Sequence, residues 1–219
     1  DALEADKVAG GGVFVHFDNI SGKKAEVYVD TEVHNSGKRT RTVAVETVLV
    51  DAGDVPVKRV SQQVKLQAGE SKTVRQRFAV RNPKLWSPDS PYLYRIQSRV
   101  KAGHEVLDGG VTRVGIRKAE FKGKDGFWLN GKPFGQLVGA NRHQDFAYVG
   151  NALPNSQQWR DAKRLRDAGC TIIRVAHYPQ DPAFMDACDE MGLFVIVATP
   201  GWQYWNKNPA FAKLVHRNT

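Results

Sequence analysis

The spacing of apolar residues changes period once along this chain, near Gly115, and that change dictates two kinds of folding unit in succession. Before it the period is two. Ala25-Glu26-Val27-Tyr28-Val29-Asp30-Thr31-Glu32-Val33 alternates throughout, and Val13-Phe14-Val15-His16-Phe17 is a shorter run of the same kind. Further runs cover 42–50, 57–66, 72–80, 92–100 and 105–114, separated by turn formers such as Asn35-Ser36-Gly37, Asp51-Ala52-Gly53-Asp54 and Ala68-Gly69-Glu70. A strand sends alternate residues to opposite faces, so each run can bury one face and leave the other in water. Seven such strands in roughly 100 residues, with no helical spacing between them, predict an immunoglobulin-like sandwich. It would be a cysteine-free form, because the Cys-Trp-Cys core of antibody domains is missing. Asn82-Pro83-Lys84-Leu85-Trp86-Ser87-Pro88 reads as a proline-pinned loop leading into Tyr92-Leu93-Tyr94.

Beyond Gly115 the pattern becomes strand–helix alternation. Residues 121–133 read as a hairpin, with turn signals at Lys124-Asp125-Gly126 and Asn130-Gly131-Lys132. A short buried strand is expected over 136–140. A helix follows over 156–168, capped by Asn155 or Ser156, with Trp159, Ala162 and Leu165 inward and Gly169 at its end. A second buried strand covers 171–176. Asp181 and Pro182 open a second helix that buries Phe184, Met185, Cys188 and Met191 and closes at Gly192. A third strand covers 193–198. This order implies parallel strands with right-handed crossovers.

Composition narrows the function classes. The net charge is +9, which invites a nucleic-acid reading, but the excess is spread along the chain. Residues 1–118 hold 20 Lys+Arg against 14 Asp+Glu, and 119–219 hold 12 against 9. No zinc-finger spacing or aromatic–basic strip accompanies it, so a solvated basic surface is expected and nucleic acid is not a partner. No apolar run approaches the roughly 18–20 residues of a membrane-spanning helix, so no membrane association is expected. The first residues carry no basic-then-apolar signal pattern, which leaves open a signal removed earlier or a longer parent chain. Cys170 and Cys188 fit no metal or redox spacing and read as small buried hydrophobes.

The chemistry-bearing residues gather where each parallel strand ends. Gly139-Ala140-Asn141-Arg142-His143-Gln144-Asp145 follows the first, Arg174-Val175-Ala176-His177-Tyr178-Pro179 the second, and Thr199-Pro200-Gly201-Trp202-Gln203-Tyr204-Trp205 the third. Barrels and open α/β sheets both place their sites at that end. Planar hydrogen-bonding groups with aromatic faces are the mixture that sugars call for. Each residue has a plainer role available: a strand-end histidine as a structural hydrogen-bond partner, Arg174 as neutraliser of buried carboxylates, Trp202 and Trp205 as packing. Three successive strand ends together favour a site.

Gly115-Ile116-Arg117, Phe127-Trp128-Leu129-Asn130-Gly131-Lys132-Pro133, Asn141-Arg142-His143-Gln144-Asp145, Arg174-Val175-Ala176-His177-Tyr178-Pro179 and Cys188-Asp189-Glu190-Met191-Gly192-Leu193 together resemble glycoside hydrolase family 2, most closely its β-galactosidase branch. The resemblance implies an immunoglobulin-like domain over 9–117 and, over 118–219, the first three strands of a (β/α)8 TIM barrel. By that similarity His143 and His177 would bind hydroxyls of the non-reducing-end sugar, with Asn141 and Arg142 shaping the pocket. Asp145 and Trp202 would also reach the sugar, and Arg174 would lie beneath the catalytic carboxylates. Gln144 stands where glutamate is commoner. Val197-Ala198-Thr199-Pro200 lacks the glutamate of magnesium-binding members, so no metal or other cofactor is carried over. The Pro200-Gly201-Trp202-Gln203-Tyr204-Trp205 stretch is similar to another branch, so β-glucuronidase- and β-mannosidase-type activities stay alternatives to β-galactosidase.

Retaining glycosidases need two carboxylates about 5–5.5 Å apart. In the family that the chain resembles both are glutamates, and the only glutamates of the barrel portion are Glu120, before the hairpin, and Glu190, near the end of the second helix and opposite the rim. Both catalytic glutamates are therefore expected beyond Thr219, and this chain by itself is expected to be inactive. The parent would act on a β-galactoside or related carbohydrate and could be a homo-oligomer. A polysaccharide-degrading parent would be periplasmic or secreted, with a cytoplasmic location also open. The competing reading is a non-catalytic carbohydrate-binding or scaffold protein.

Overall fold

The computed structural model describes residues 2–3, 12–198 and 206–217, and two compact units emerge. The first holds the strands of the sandwich: β1 (Ala2–Leu3), β2 (Val13–Asp18), β3 (Lys24–His34), β4 (Arg41–Val50), β5 (Pro56–Leu66), β6 (Ser71–Arg81), β7 (Tyr94–Ala102) and β8 (Glu105–Val114). β2, β3 and β6 form one antiparallel sheet, with the short β1 also on β3. β5, β4, β7 and β8 form the other, in that order. The seven expected strands are all present. Alternation sets the core: Ala25, Val27, Val29, Leu49, Phe78, Val80, Tyr94 and Ile96 all face inward. The buried Gln76 bridges the sheets, accepting from Thr47 Oγ1 at 2.5 Å and donating to the Val45 carbonyl at 3.0 Å. That satisfies polar groups that would otherwise be costly to bury.

The 82–88 loop is fixed as its prolines suggest. Trp86 is fully buried, its N–H donates to the Ile116 carbonyl at 2.8 Å, and Arg117 lies over its ring at 4.6 Å. A Cβ on Gly115 would come within 2.8 Å of the same indole, so glycine is what allows the close approach. The chain continues through β9 (Ala119–Phe121), a 3-10 turn (Gly123–Asp125), β10 (Phe127–Leu129) and β11 (Lys132–Pro133). Asn130 and Gly131 both take positive φ, 53° and 80°, as the tight hairpin turn read from Asn-Gly requires.

The second unit carries three parallel strands, β12 (Gly139–Arg142), β13 (Ile172–Val175) and β14 (Phe194–Val197), laid side by side in chain order. Helices α1 (Asn155–Asp167) and α2 (Pro182–Met191) link them, and α3 (Pro209–Arg217) follows. Ala162, Ile173, Val175, Phe184, Ala187, Cys188 and Leu193 form the core between helices and sheet. Asp181 caps α2 by accepting from the Ala183 N–H at 2.8 Å, and Gly192 ends it at φ 75°. Cys188 is buried and its thiol is pushed up to about 12 by desolvation, so it packs as a hydrophobe; Cys170 is half-buried.

Three local expectations are corrected. The first parallel strand lies at 139–142, not 136–140, and Gly139, Ala140 and Asn141 are exposed. Leu137 and Val138 are apolar and suggest an earlier start, but β12 pairs only with β13 among the described residues and is not a buried central strand. Asn155 and Ser156 do not cap α1. Pro154 holds the N-cap position without a side-chain bond, and its carbonyl accepts from the Gln157 N–H at 2.9 Å. The inward stripe of α1 is also more polar than read, because Gln157 and Gln158 are buried beside Ala162 while Trp159 and Leu165 are half-buried.

Candidate active-site rim

β12 and β13 deliver the sequence motifs to one end of the parallel sheet. Asn141 pairs in register with Arg174, and Arg174 with Ile196, so the pleat puts all three on one face. Asn141 is exposed and Arg174 half-buried. Among the described residues no hydrogen bond or ion pair engages the Arg174 guanidinium. One step beyond β12, His143 meets His177 edge to face, with ring centroids 5.3 Å apart and planes at 87°. His177 follows a cis Ala176–His177 peptide. Its pKa is held below the usual histidine value, first by burial, then by the charge of Arg174, then by His143. The neutral imidazole offers one donor and one acceptor, which suits a hydroxyl.

Arg142 is placed elsewhere. The pleat turns it to the opposite face, where it is 6% exposed beneath the helices. It donates to Gln180 Oε1 at 2.6 Å, to Gln158 Oε1 at 2.7 Å and to Asp161 Oδ2 at 2.8 Å, with its guanidinium 4.0 Å from the centre of the Phe184 ring. The Gln180 side chain returns a bond to the Arg142 carbonyl at 2.6 Å. Arg142 thus ties the end of β12 to α1 and to the segment before α2, and fixes where His143 begins.

Gln144 does a parallel job one residue further on. Its N–H donates to Tyr178 Oη at 3.0 Å, and its side chain accepts from the Asp181 N–H at 2.8 Å and donates to the Asn151 carbonyl at 3.3 Å. Asp145 is exposed beside it. With its amide nitrogen turned toward the loop, Asn151 donates to Asp145 Oδ1 at 2.6 Å. Trp202 lies outside the described residues. Gln158, Asp161, Gln180 and Tyr178 were not singled out from sequence. The signal for the first three was a buried arginine needing partners, and that burial shows only once the strand's pleat is known.

The arrangement gathers hydrogen-bonding side chains at the ends of two parallel strands. Glu120 is drawn below the usual carboxylate range by Lys118, 2.9 Å away.

Comparison with known proteins accounts for both units. Residues 12–117 match the model of glycosyl hydrolases family 2, and residues 120–215 match the TIM barrel domain of the same family. A β-galactosidase of Thermoanaerobacter pseudethanolicus is 36% identical over 193 residues, 88% of this chain and 25% of its own. Among solved structures, a family 2 member from Bacteroides cellulosilyticus superposes with TM-score 0.81 at 35% identity, over 85% of this chain and 26% of that one. A Bacteroides uniformis β-glucuronidase 2, solved covalently bound to cyclophellitol-6-carboxylate aziridine, superposes with TM-score 0.89 at 27% identity, over 99% of this chain and 26% of that one. The chain therefore spans about a quarter of the length of the relatives it matches. An immunoglobulin-like sandwich followed by the opening strands of a TIM barrel, each matched by its own model, makes this chain a member of glycosyl hydrolases family 2.

Proposed function

We propose that the chain is part of a retaining β-glycosidase that releases sugars from non-reducing ends, with a β-galactoside as the first substrate to try. The observation that carries this reading is the gathering of Asn141, His143, Arg174 and His177 at one end of the parallel sheet. Asn141, His143 and Arg174 have side-chain hydrogen-bonding capacity unspent among the described residues. His143 and His177 would hold sugar hydroxyls, Asn141 would share that pocket, and Asp145 and Trp202 would extend it. Arg174 would keep a nucleophilic carboxylate ionised by Coulombic attraction. The mechanism would be a double displacement: one carboxylate attacks the anomeric carbon while the other protonates the leaving oxygen, and water then releases the sugar with retained configuration. Both carboxylates would come from other barrel strands, so the 219-residue chain alone would not turn over.

The test uses the full-length protein with 4-nitrophenyl β-galactoside and β-glucuronide. Hydrolysis by the full-length protein, none by the 219-residue chain, and a drop in kcat/KM for His143→Ala and His177→Ala support the reading. Turnover by the short chain, or variants with unchanged kinetics, would overturn it. The relatives include both a β-galactosidase and a β-glucuronidase, and the ratio of the two rates decides between them.

A further inference from the structure

The loop that leaves β12 ends in a feature that packing among the described residues does not explain. After His143, Gln144 and Asp145, the chain turns back on itself, with Phe146 and Gly150 exchanging both backbone hydrogen bonds at 3.1 and 2.9 Å. The tip of this turn carries Tyr148 at φ 72°. Glycine or asparagine takes that conformation readily, whereas a bulky side chain is disfavoured there. Nor does the tyrosine recover anything by packing. Its side chain is fully exposed, and no ring contact or hydrogen bond engages it among the described residues. Phe146 and Val149 beside it are about half exposed, so the tip is apolar. The base of the loop, by contrast, is anchored by the three bonds of Gln144 to Tyr178, Asp181 and Asn151. A fixed base and an aromatic ring left uncovered by the described residues are what a ligand platform needs. Strained backbone of this kind gathers at ligand-contacting positions.

We propose that Tyr148 is an aromatic platform for the leaving-group side of the substrate, stacking on the C–H face of a sugar or on an aryl ring. The inference rests on the glycosidase reading above. The sugar whose bond is cleaved would occupy the strand-end pocket at His143 and His177. The portion that protrudes from the barrel end is what can reach a loop tip five residues after His143. Aromatic faces bind such apolar surfaces with little conformational cost, because a tyrosine has few rotatable bonds to order.

The experiment compares two substrates of the full-length enzyme: a 4-nitrophenyl β-glycoside and the corresponding β-glycosyl fluoride, whose leaving group has no surface to stack. The ratio of their kcat/KM values should fall about three- to tenfold in Tyr148→Ala, the size of one aromatic contact. It should return in Tyr148→Phe. Tyr148→Gly should lose the ratio as alanine does while keeping the wild-type Tm or raising it, since glycine relieves the φ strain. Equal loss on both substrates, or an unchanged ratio, overturns the proposal while leaving the glycosidase reading intact. A changed mass by light scattering in Tyr148→Ala with an unchanged ratio also overturns it, in favour of a subunit contact. Wild-type enzyme inactive on both substrates overturns both readings.

Discussion

The His143 and His177 rings meet edge to face at 5.3 Å, although 34 positions separate them in the chain. The two strand ends that carry them are tied to each other, by the Ala176 N–H to the Arg142 carbonyl at 2.8 Å and by the Gln144 N–H to Tyr178 Oη at 3.0 Å. The electrostatic consequence falls on His177, whose proton is disfavoured by burial, by Arg174 and by its partner ring. In the unfolded chain the imidazole would protonate near 6.5; in the folded protein it does so at lower pH. Between those two values the unfolded state binds more protons, so stability is fully present above 6.5 and declines as the pH falls through that window. A histidine NMR titration should place His177 below 6.5, and His177→Gln should flatten this part of the Tm–pH curve. A His177 midpoint at or above 6.5 would remove the argument for a neutral ring.

Arg142 tests how the rim is held. Replacing it with alanine leaves buried Gln158 and the partly buried Asp161 without their cationic partner. Breaking a buried pair from one side costs about 3–5 kcal/mol. Arg142→Ala should therefore lower the chemical-denaturation free energy by about that much. Arg142→Lys should recover only part of it, because an ammonium cannot reproduce the fork that reaches Gln180, Gln158 and Asp161 together. A loss under about 1 kcal/mol would mean that the network is solvated and weak.

The contrast between Arg142 and His143 also shows what was legible in the sequence. The motif Asn141-Arg142-His143 reads as one polar cluster, yet a strand's period of two sends neighbours to opposite faces. Knowing that β12 includes Asn141 and Arg142 separates them, and a strand ending at 140 leaves both in the loop. The sandwich was easier to read because its alternation is long: eleven residues in β3 leave no doubt about which face is buried. β12 has four residues, two of them Gly139 and Ala140, and gives no such signal. The buried Gln157 and Gln158 were missed for the opposite reason. Their polarity argued for solvent, and only their partners Asp161 and Arg142 make burial tolerable.

Gly192 is where a single methyl group should be most damaging. It ends α2 at φ 75°, which already disfavours a side chain. An added Cβ would also run into the Pro88 carbonyl oxygen and lie 2.7 Å from Pro88 Cα, both of them backbone atoms. Neither can swing aside as a flexible side chain would. Gly192→Ala should lower stability by more than the roughly 1 kcal/mol expected of an unobstructed helix C-cap. Gly169→Ala is the control, since Gly169 takes φ 87° after α1 with open space around its missing Cβ. Equal losses at the two positions, measured by urea denaturation, would show that the contact with Pro88 contributes nothing.

On the outer face of the sandwich, Glu26 contributes to the behaviour in acid. Its carboxylate accepts from Lys24 Nζ at 2.7 Å, Asn19 Nδ2 at 3.0 Å and Arg77 Nη2 at 2.6 Å. Those bonds, led by Lys24, favour the charged form and lower its pKa to about 2, against 4.5 for an ordinary glutamate. In this window the unfolded chain binds the proton that the folded one refuses, so the contribution is complete above 4.5 and is lost as the pH falls toward 2. Melting curves across that range should show a Tm decline that Glu26→Gln makes shallower. The remaining decline would belong partly to Glu70 and Glu120, whose carboxyls are also lowered by hydrogen bonds. The variant's own cost should appear near neutral pH, where the wild-type carboxylate is charged, and shrink toward the acid end, as the wild-type carboxyl takes up its proton. A gap between wild type and variant that stays constant with pH would show that Glu26 acts through packing and not through its charge.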